Sequence, residues 1–196
     1  MNKSLKIAIL LFDNVTALDF VGPYEVLSKM PNAEIHFVAK KVGLYSDSKG
    51  FQFKADLSTS DFDNPDILIV PGGFGIDDIL NDQEILDWII RVHLKTRWTL
   101  SVCSGAILLG AAGLLQNCEA TTHQNRKKQL EPYCKKVLNS RFVVSGKIIS
   151  SAGVSAGIDM ALHLVGLELN ETAAKSIQVA IEYFPQPPFM ADRLTQ

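Results

Sequence analysis

The chain has 196 residues, of which 47% are apolar and 20% charged, and its formal net charge is -2. That length suits one α/β domain, residues 1–196, with enough apolar material for a core that needs no staples. The near-neutral balance gives no electrostatic case for nucleic acid or for an anionic membrane surface, and no apolar run is long enough to span a bilayer.

The opening Met-Asn-Lys-Ser-Leu-Lys and the apolar run Ile7–Phe12 have the outline of a signal peptide. The run is short, ends at Asp13 and has no small-residue cleavage site beyond it, so the expectation is a cytoplasmic protein. Leu5–Phe12 is predicted as a strand buried on both faces. Asp19–Met30 follows as a helix, with Pro23 early enough for its missing N–H to do little harm. Glu34–Ala39 alternates and predicts a second strand. A short hairpin is expected around Phe51–Phe53 within the mixed stretch Leu44–Phe62.

Asp66–Val70 is another buried strand, running straight into Pro71-Gly72-Gly73-Phe74-Gly75. Asp82 caps a predicted helix that reaches about Val92. Trp98–Cys103 is a further strand, followed at once by a small-residue helix over Ser104–Leu115. Glu119–Thr122 reads as a brief strand and Phe142–Ser150 as two strands around Ser145-Gly146. Helices are predicted over about Ser155–Leu167 and Glu171–Tyr183, the second capped by Asn170. The tail Pro185–Phe189 is expected to be extended, packed or paired with a partner. Strands alternating with helices predict a largely parallel sheet covered on both faces, with ligands collecting beyond the carboxyl ends of its strands. The Asp13–Asp19 loop, Pro71–Gly75 and Cys103 all fall at such ends.

The three cysteines, Cys103, Cys118 and Cys134, form an odd set with no C-x-x-C pair. Reduced thiols fit better than a disulfide framework, and no metal site is expected from this ligand spacing. Cys103 stands where a hydrophobic strand turns sharply into a helix, in the manner of a nucleophile elbow. Gly105 and Ala106 leave room for the turn. The helix N-terminus is expected to hold the thiol below its free pKa of about 8.5, although an inert buried cysteine is the alternative.

The N–H groups of Gly73 and Ser104 can form an oxyanion hole, with Gly72 beside them, or the glycines can mark a plain turn. Asp19 is either a helix cap or an acid facing Cys103. His123 either orients substrate or water, or is structural. Arg126, Lys127, Lys128, Lys135 and Lys136 read as a solvated helix face.

Taken together, Leu18–Leu27, Ile69–Gly75, Ser101–Ala106, Ala112–Leu115 with Ala120–His123, Ser151–Asp159 and Glu182–Phe189 resemble the DJ-1/PfpI (ThiJ) superfamily along almost the whole chain. Within it the chain is most similar to the isonitrile hydratase-like subgroup, which is close to the sensor domains of AraC-type regulators. The resemblance implies a flavodoxin-like three-layer α/β sandwich, related to the class I glutamine amidotransferases, with a mostly parallel central sheet. It also implies a homodimer acting on a small molecule.

For the site it implies Cys103 as nucleophile, Asp19 as neighbouring acid, and Ser104 where the subgroup usually carries threonine. Gln124 stands where an aromatic residue is common. The implied activity is a hydro-lyase reaction with no cofactor and no metal: an isonitrile activated by protonation is attacked by Cys103, and the thioimidate is hydrated to an N-substituted formamide. Two alternatives stand beside it: a cofactor-free glyoxalase or cysteine hydrolase on small carbonyls, and a cysteine-based redox sensor or chaperone. Peptidases of the superfamily place a histidine where this chain has Ser104, and glyoxalase-type members a glutamate where it has Asp19.

Overall fold

A computed structural model of the chain describes residues 4–189. The N-terminal Met1–Lys3 of the leader-like pattern lies outside them. β1 (Leu5–Leu10) leads into α1 (Ala17–Leu27), β2 (Ala33–Ala39), a hairpin of β3 (Gly43–Ser46) and β4 (Gln52–Ala55), β5 (Leu57–Ser58) and β6 (Ile67–Val70). The short α2 (Ile76–Ile79), α3 (Gln83–Lys95), β7 (Trp98–Val102) and α4 (Gly105–Ala111) follow. Next come β8 (Glu119–Ala120), α5 (Lys127–Leu130), β9 (Lys136–Val137), β10 (Phe142–Ser145) and β11 (Ile148–Ser151), and then α6 (Ala156–Glu168) and α7 (Glu171–Ala180).

Seven strands form the central sheet in the order β10-β11-β7-β6-β1-β2-β5, parallel throughout except for the antiparallel β10–β11 edge. Helices α1, α6 and α7 pack together as one layer, and α3 and α4 pack as another. Both faces of the central strands are therefore covered, which is why Ile7–Leu10 and Ile67–Val70 are unbroken apolar runs with no exposed residue. This is the flavodoxin-like α/β architecture. No helix among the described residues is long and apolar enough to cross a membrane.

Local chemistry explains where several elements start and stop. Asp82 accepts from the N–H groups of Glu84 (3.1 Å) and Ile85 (3.4 Å) at the start of α3, a cap that contributes about 1 kcal/mol. Ile85, Leu86, Trp88, Ile89 and Val92 then bury one stripe of that helix. Asn170 caps α7 through the N–H of Ala173 at 2.9 Å.

Several helix boundaries differ from expectation: α7 ends at Ala180 and α1 at Leu27, each three residues early, and two more have a visible cause. α4 stops at Ala111 because Gly113 takes φ +78°, and Gly113 and Leu114 donate back to the carbonyls of Gly110 and Leu109 in a Schellman closure. α1 begins at Ala17, so Asp19 lies in its first turn and does not open it, and Pro23 falls in the interior. The helix continues through Pro23, held by its packing on α6, where the proline ring lies against Gly157.

Candidate active site

β1, β6 and β7 are neighbours in the sheet, and the chain reverses its direction of winding at β1. Their carboxyl ends therefore open a crevice of the kind in which α/β sheets bind ligands. The loop after β1 feeds α1 and Asp19, the turn after β6 carries Gly72 and Gly73, and Cys103 follows β7 directly. The three candidate segments, far apart in sequence, meet at one edge. An antiparallel bridge between Val15 and Gly73, and the Thr16 N–H bond to the Gly72 carbonyl at 2.9 Å, tie the first two together.

Cys103 is 7% exposed and holds φ at +57°, a left-handed conformation that costs a residue with a side chain on the order of 1–2 kcal/mol. Its surroundings keep it there. The Cys103 N–H donates to the Ser151 carbonyl at 3.1 Å, and the Thr122 hydroxyl donates to the Cys103 carbonyl at 2.7 Å. A helix begins at once after it, packed so closely that a Cβ on Gly105 would stand 2.1 Å from the Val70 carbonyl oxygen. Strain concentrated at one residue on the rim of a ligand crevice is where function is expected.

Asp19 is fully buried, and its Oδ2 accepts from the Gly72 N–H at 3.0 Å. It is an acid facing the cysteine and not a cap: the N-terminus of α1 has no side-chain cap at all. Burial pushes the Asp19 carboxyl up to about 7, against the pull of the Gly72 N–H and of the Cys103 thiol beside it.

The thiol does not follow expectation. Burial, and then the Asp19 charge, push it up to about 12, outweighing the Ser104 N–H at the start of α4. The expected low-pKa thiolate thus gives way to a pair: between those two values, carboxyl and thiol together hold one proton. The proton then rests on sulfur, and the Asp19 carboxylate beside it is placed to take it up as the thiol reacts.

The Ser104 hydroxyl accepts from the Gly73 N–H at 3.0 Å and donates to the Gly73 carbonyl at 3.2 Å. The Gly73 N–H is therefore engaged by Ser104, while the Ser104 N–H bonds toward the Cys103 sulfur. Gly72 holds the carboxyl of Asp19 and does not offer its N–H to the crevice. His123 accepts from the Asn125 N–H through Nδ1 at 3.2 Å and borders the sulfur's neighbourhood. A Cβ on Gly153 would lie 2.2 Å from the His123 ring and 3.3 Å from the Cys103 sulfur. Cys103, Ser104, Gly73 and His123 line one cavity of about 290 Å³, with Phe74 and Arg126 on its wall.

Sequence reasoning missed Thr122, Gly153 and Arg126. Arg126 is not part of a solvated face: its guanidinium pairs with both carboxylate oxygens of Asp77, which also accepts from Gln129 at 3.2 Å. Asp77 lies far away in sequence, so no local pattern signals the pair. Thr122 had a signal, since a threonine run beside a candidate histidine offers hydroxyls for holding backbone.

The DJ-1/PfpI family model matches residues 5–167, and the chain belongs to the DJ-1/PfpI family. It is 37% identical to the isonitrile hydratase of Pseudomonas putida over 95% of its own length and 82% of that protein. It is 26% identical to the HTH-type transcriptional regulator GbdR of Pseudomonas aeruginosa over 90% of its length, and spans 50% of that protein. The solved structure of a THiJ/PfpI family protein from Pseudomonas syringae matches with a TM-score of 0.92 at 31% identity, over 95% of this chain and 78% of that one.

Proposed function

We propose that the protein is a hydro-lyase that converts a small isonitrile to its N-substituted formamide, with Cys103 as nucleophile and Asp19 as the proton carrier. The observation that carries this reading is the strained Cys103 at a cavity wall with the buried Asp19 carboxyl beside its thiol. The 37% identity to isonitrile hydratase supports the substrate class.

In the first step sulfur bonds to the terminal isonitrile carbon. The proton held by the pair passes to that same carbon, giving a thioimidate. Water then adds across the C=N bond, and the tetrahedral adduct expels the Cys103 sulfur, which takes back a proton through Asp19. Atoms balance as isonitrile plus water giving formamide. The Ser104 N–H faces the sulfur and steadies the charge it carries in both steps. The Ser104 hydroxyl orients the Gly73 peptide, and His123 bounds the space in which water stands.

The same reading includes a single domain over residues 1–196, a cytoplasmic location and a homodimer. The exposed apolar side chains Leu18 and Val21 on α1 support a self-associating face.

The test is formamide production from cyclohexyl isocyanide or a related isonitrile by wild-type protein and by Cys103→Ala. Turnover by the wild type and none by the variant is expected. Robust turnover by Cys103→Ala refutes the mechanism, and wild-type protein inert on several isonitriles but active on methylglyoxal points to the glyoxalase alternative.

A further inference from the structure

A second cavity, of about 370 Å³, adjoins the one that holds Cys103, and the two share His123 and Val154. Gly153 lines this second cavity and forms its border with the nucleophile, since a Cβ there would stand 3.3 Å from the Cys103 sulfur. Thr122, whose hydroxyl holds the Cys103 carbonyl, lies in the same wall. A group in this space therefore sits beside the reacting sulfur.

Its lining differs in chemistry from that of the first cavity. Gln124, Lys127, Asn139 and Arg141 contribute to it, and no carboxylate among the described residues does. Arg141 is already paired with Asp159 and donates to the Ser155 hydroxyl at 3.1 Å. Lys127 has no such partner: among the described residues its ammonium bonds only the Asn139 side-chain carbonyl, at 3.0 Å. That bond restrains the half-buried lysine at the cavity wall and leaves both its remaining protons and the Asn139 NH2 group free to donate. His123 Nδ1 accepts from the Asn125 N–H, so in the neutral ring Nε2 carries the proton and is a further donor. With Arg141 neutralised by Asp159, the Lys127 charge is left uncompensated, in a chain whose formal net charge is -2. Such a wall, rich in donors and free of acids, fits a monoanion that accepts hydrogen bonds.

We propose that this cavity is a subsite for a carboxylate carried by the substrate, with Lys127 as its charge partner. The isonitrile that Cys103 attacks is then one that bears a carboxylate. A carboxylate suits the one uncompensated charge better than a phosphate dianion does. The isonitrile half of this assignment rests on the hydro-lyase reading of the same site; the anion subsite stands or falls without turnover.

The experiment compares isocyanoacetate with isocyanoacetamide, which differ in charge and hardly in size, as substrates of the full-length protein. The value of kcat/KM should be about tenfold or more higher for the carboxylate, mostly through KM, as a charge-assisted hydrogen bond supplies. Lys127→Met should bring the ratio to about one, and Lys127→Arg should keep it. A wild-type ratio near or below one, or a ratio that Lys127→Met leaves unchanged, overturns the proposal. Calorimetric binding of the two products, N-formylglycine and N-formylglycinamide, separates the subsite from the chemistry. If neither isonitrile turns over, the hydro-lyase reading fails, while tighter binding of N-formylglycine that is lost in Lys127→Met still establishes the anion subsite. Equal binding of the two products by the wild type overturns it.

Discussion

The two edges of the central sheet both bury polar and titratable groups, and they treat them in opposite ways. At the amino edge His93 Nδ1 lies 2.9 Å from the Thr99 hydroxyl, which is itself 3.0 Å from the Thr96 hydroxyl. Lys147 donates to the carbonyls of His93 and Thr96 at the end of α3. Those groups are matched to one another, and their role is to close a helix against a strand. At the carboxyl edge Asp19 has Oδ1 buried with no conventional hydrogen-bond partner among the described residues, Cys103 sits in a left-handed conformation, and burial raises the pKa of both. Polar burial therefore marks function only where it is left incomplete or strained and faces a cavity.

The largest separation of the two edges should come from Gly72→Ala. A Cβ there would stand 2.5 Å from the Ser104 nitrogen and 3.0 Å from Asp19 Oδ2, so backbone must move. We expect isonitrile hydration to fall by more than ~10², as misplacing reacting groups by about an ångström does. A stability loss of about 1–3 kcal/mol, read by urea unfolding, should accompany it. A fully active variant would show that the Asp19–Ser104 spacing does not matter.

Asp19→Asn should lower turnover by about 10², since the amide cannot carry the proton. Its stability effect has the opposite sign and depends on pH. Because burial raises the folded pKa from 3.8 to about 7, the folded state holds its proton more tightly than the unfolded chain. That stabilisation is complete below about pH 3.8 and is lost as pH rises to about 7. Asparagine keeps the shape without the charge, so the variant should gain stability over wild type above pH 7, about 4 kcal/mol at most, and show little difference near pH 4. Urea unfolding across pH checks this, and a flat difference would remove Asp19 as the buried acid.

Thr99→Val probes the other edge. It leaves His93 Nδ1 and the Thr96 hydroxyl without this partner, and a loss of roughly 1–3 kcal/mol is expected with turnover per folded molecule unchanged. A matching loss of activity would mean that the edges are coupled. The smallest effect is assigned to Ser104→Ala, a several-fold fall in turnover with little change in stability. Ser104→Thr should restore it, since the hydroxyl that bonds Gly73 is kept.

The residues that form local patterns are legible in the amino-acid order itself. The buried strands at Ile7–Leu10 and Ile67–Val70, the Asp82 and Asn170 caps, and the sharp turn after Trp98–Val102 follow from composition and spacing within a few residues. Cys103, Asp19 and Gly72 are legible as candidates because each follows a strand end, and parallel strands deliver their carboxyl ends to one edge.

What tertiary structure alone decided depends on partners remote in sequence. The place of Cys103 before a helix predicts an acidic thiol, but its pKa is set by burial and by Asp19, which arrives from another strand. The oxyanion pair expected from Gly73 and Ser104 is altered by a hydroxyl that already occupies one of the two N–H groups. Arg126 reads as solvated from its neighbours in the chain, and pairs with Asp77 because the fold brings the two together. Local pattern determines which elements form, because capping and hydrophobic periodicity act within a turn or two. Proton affinity, and the partner each polar group finds, are set by what packing brings within a few ångströms.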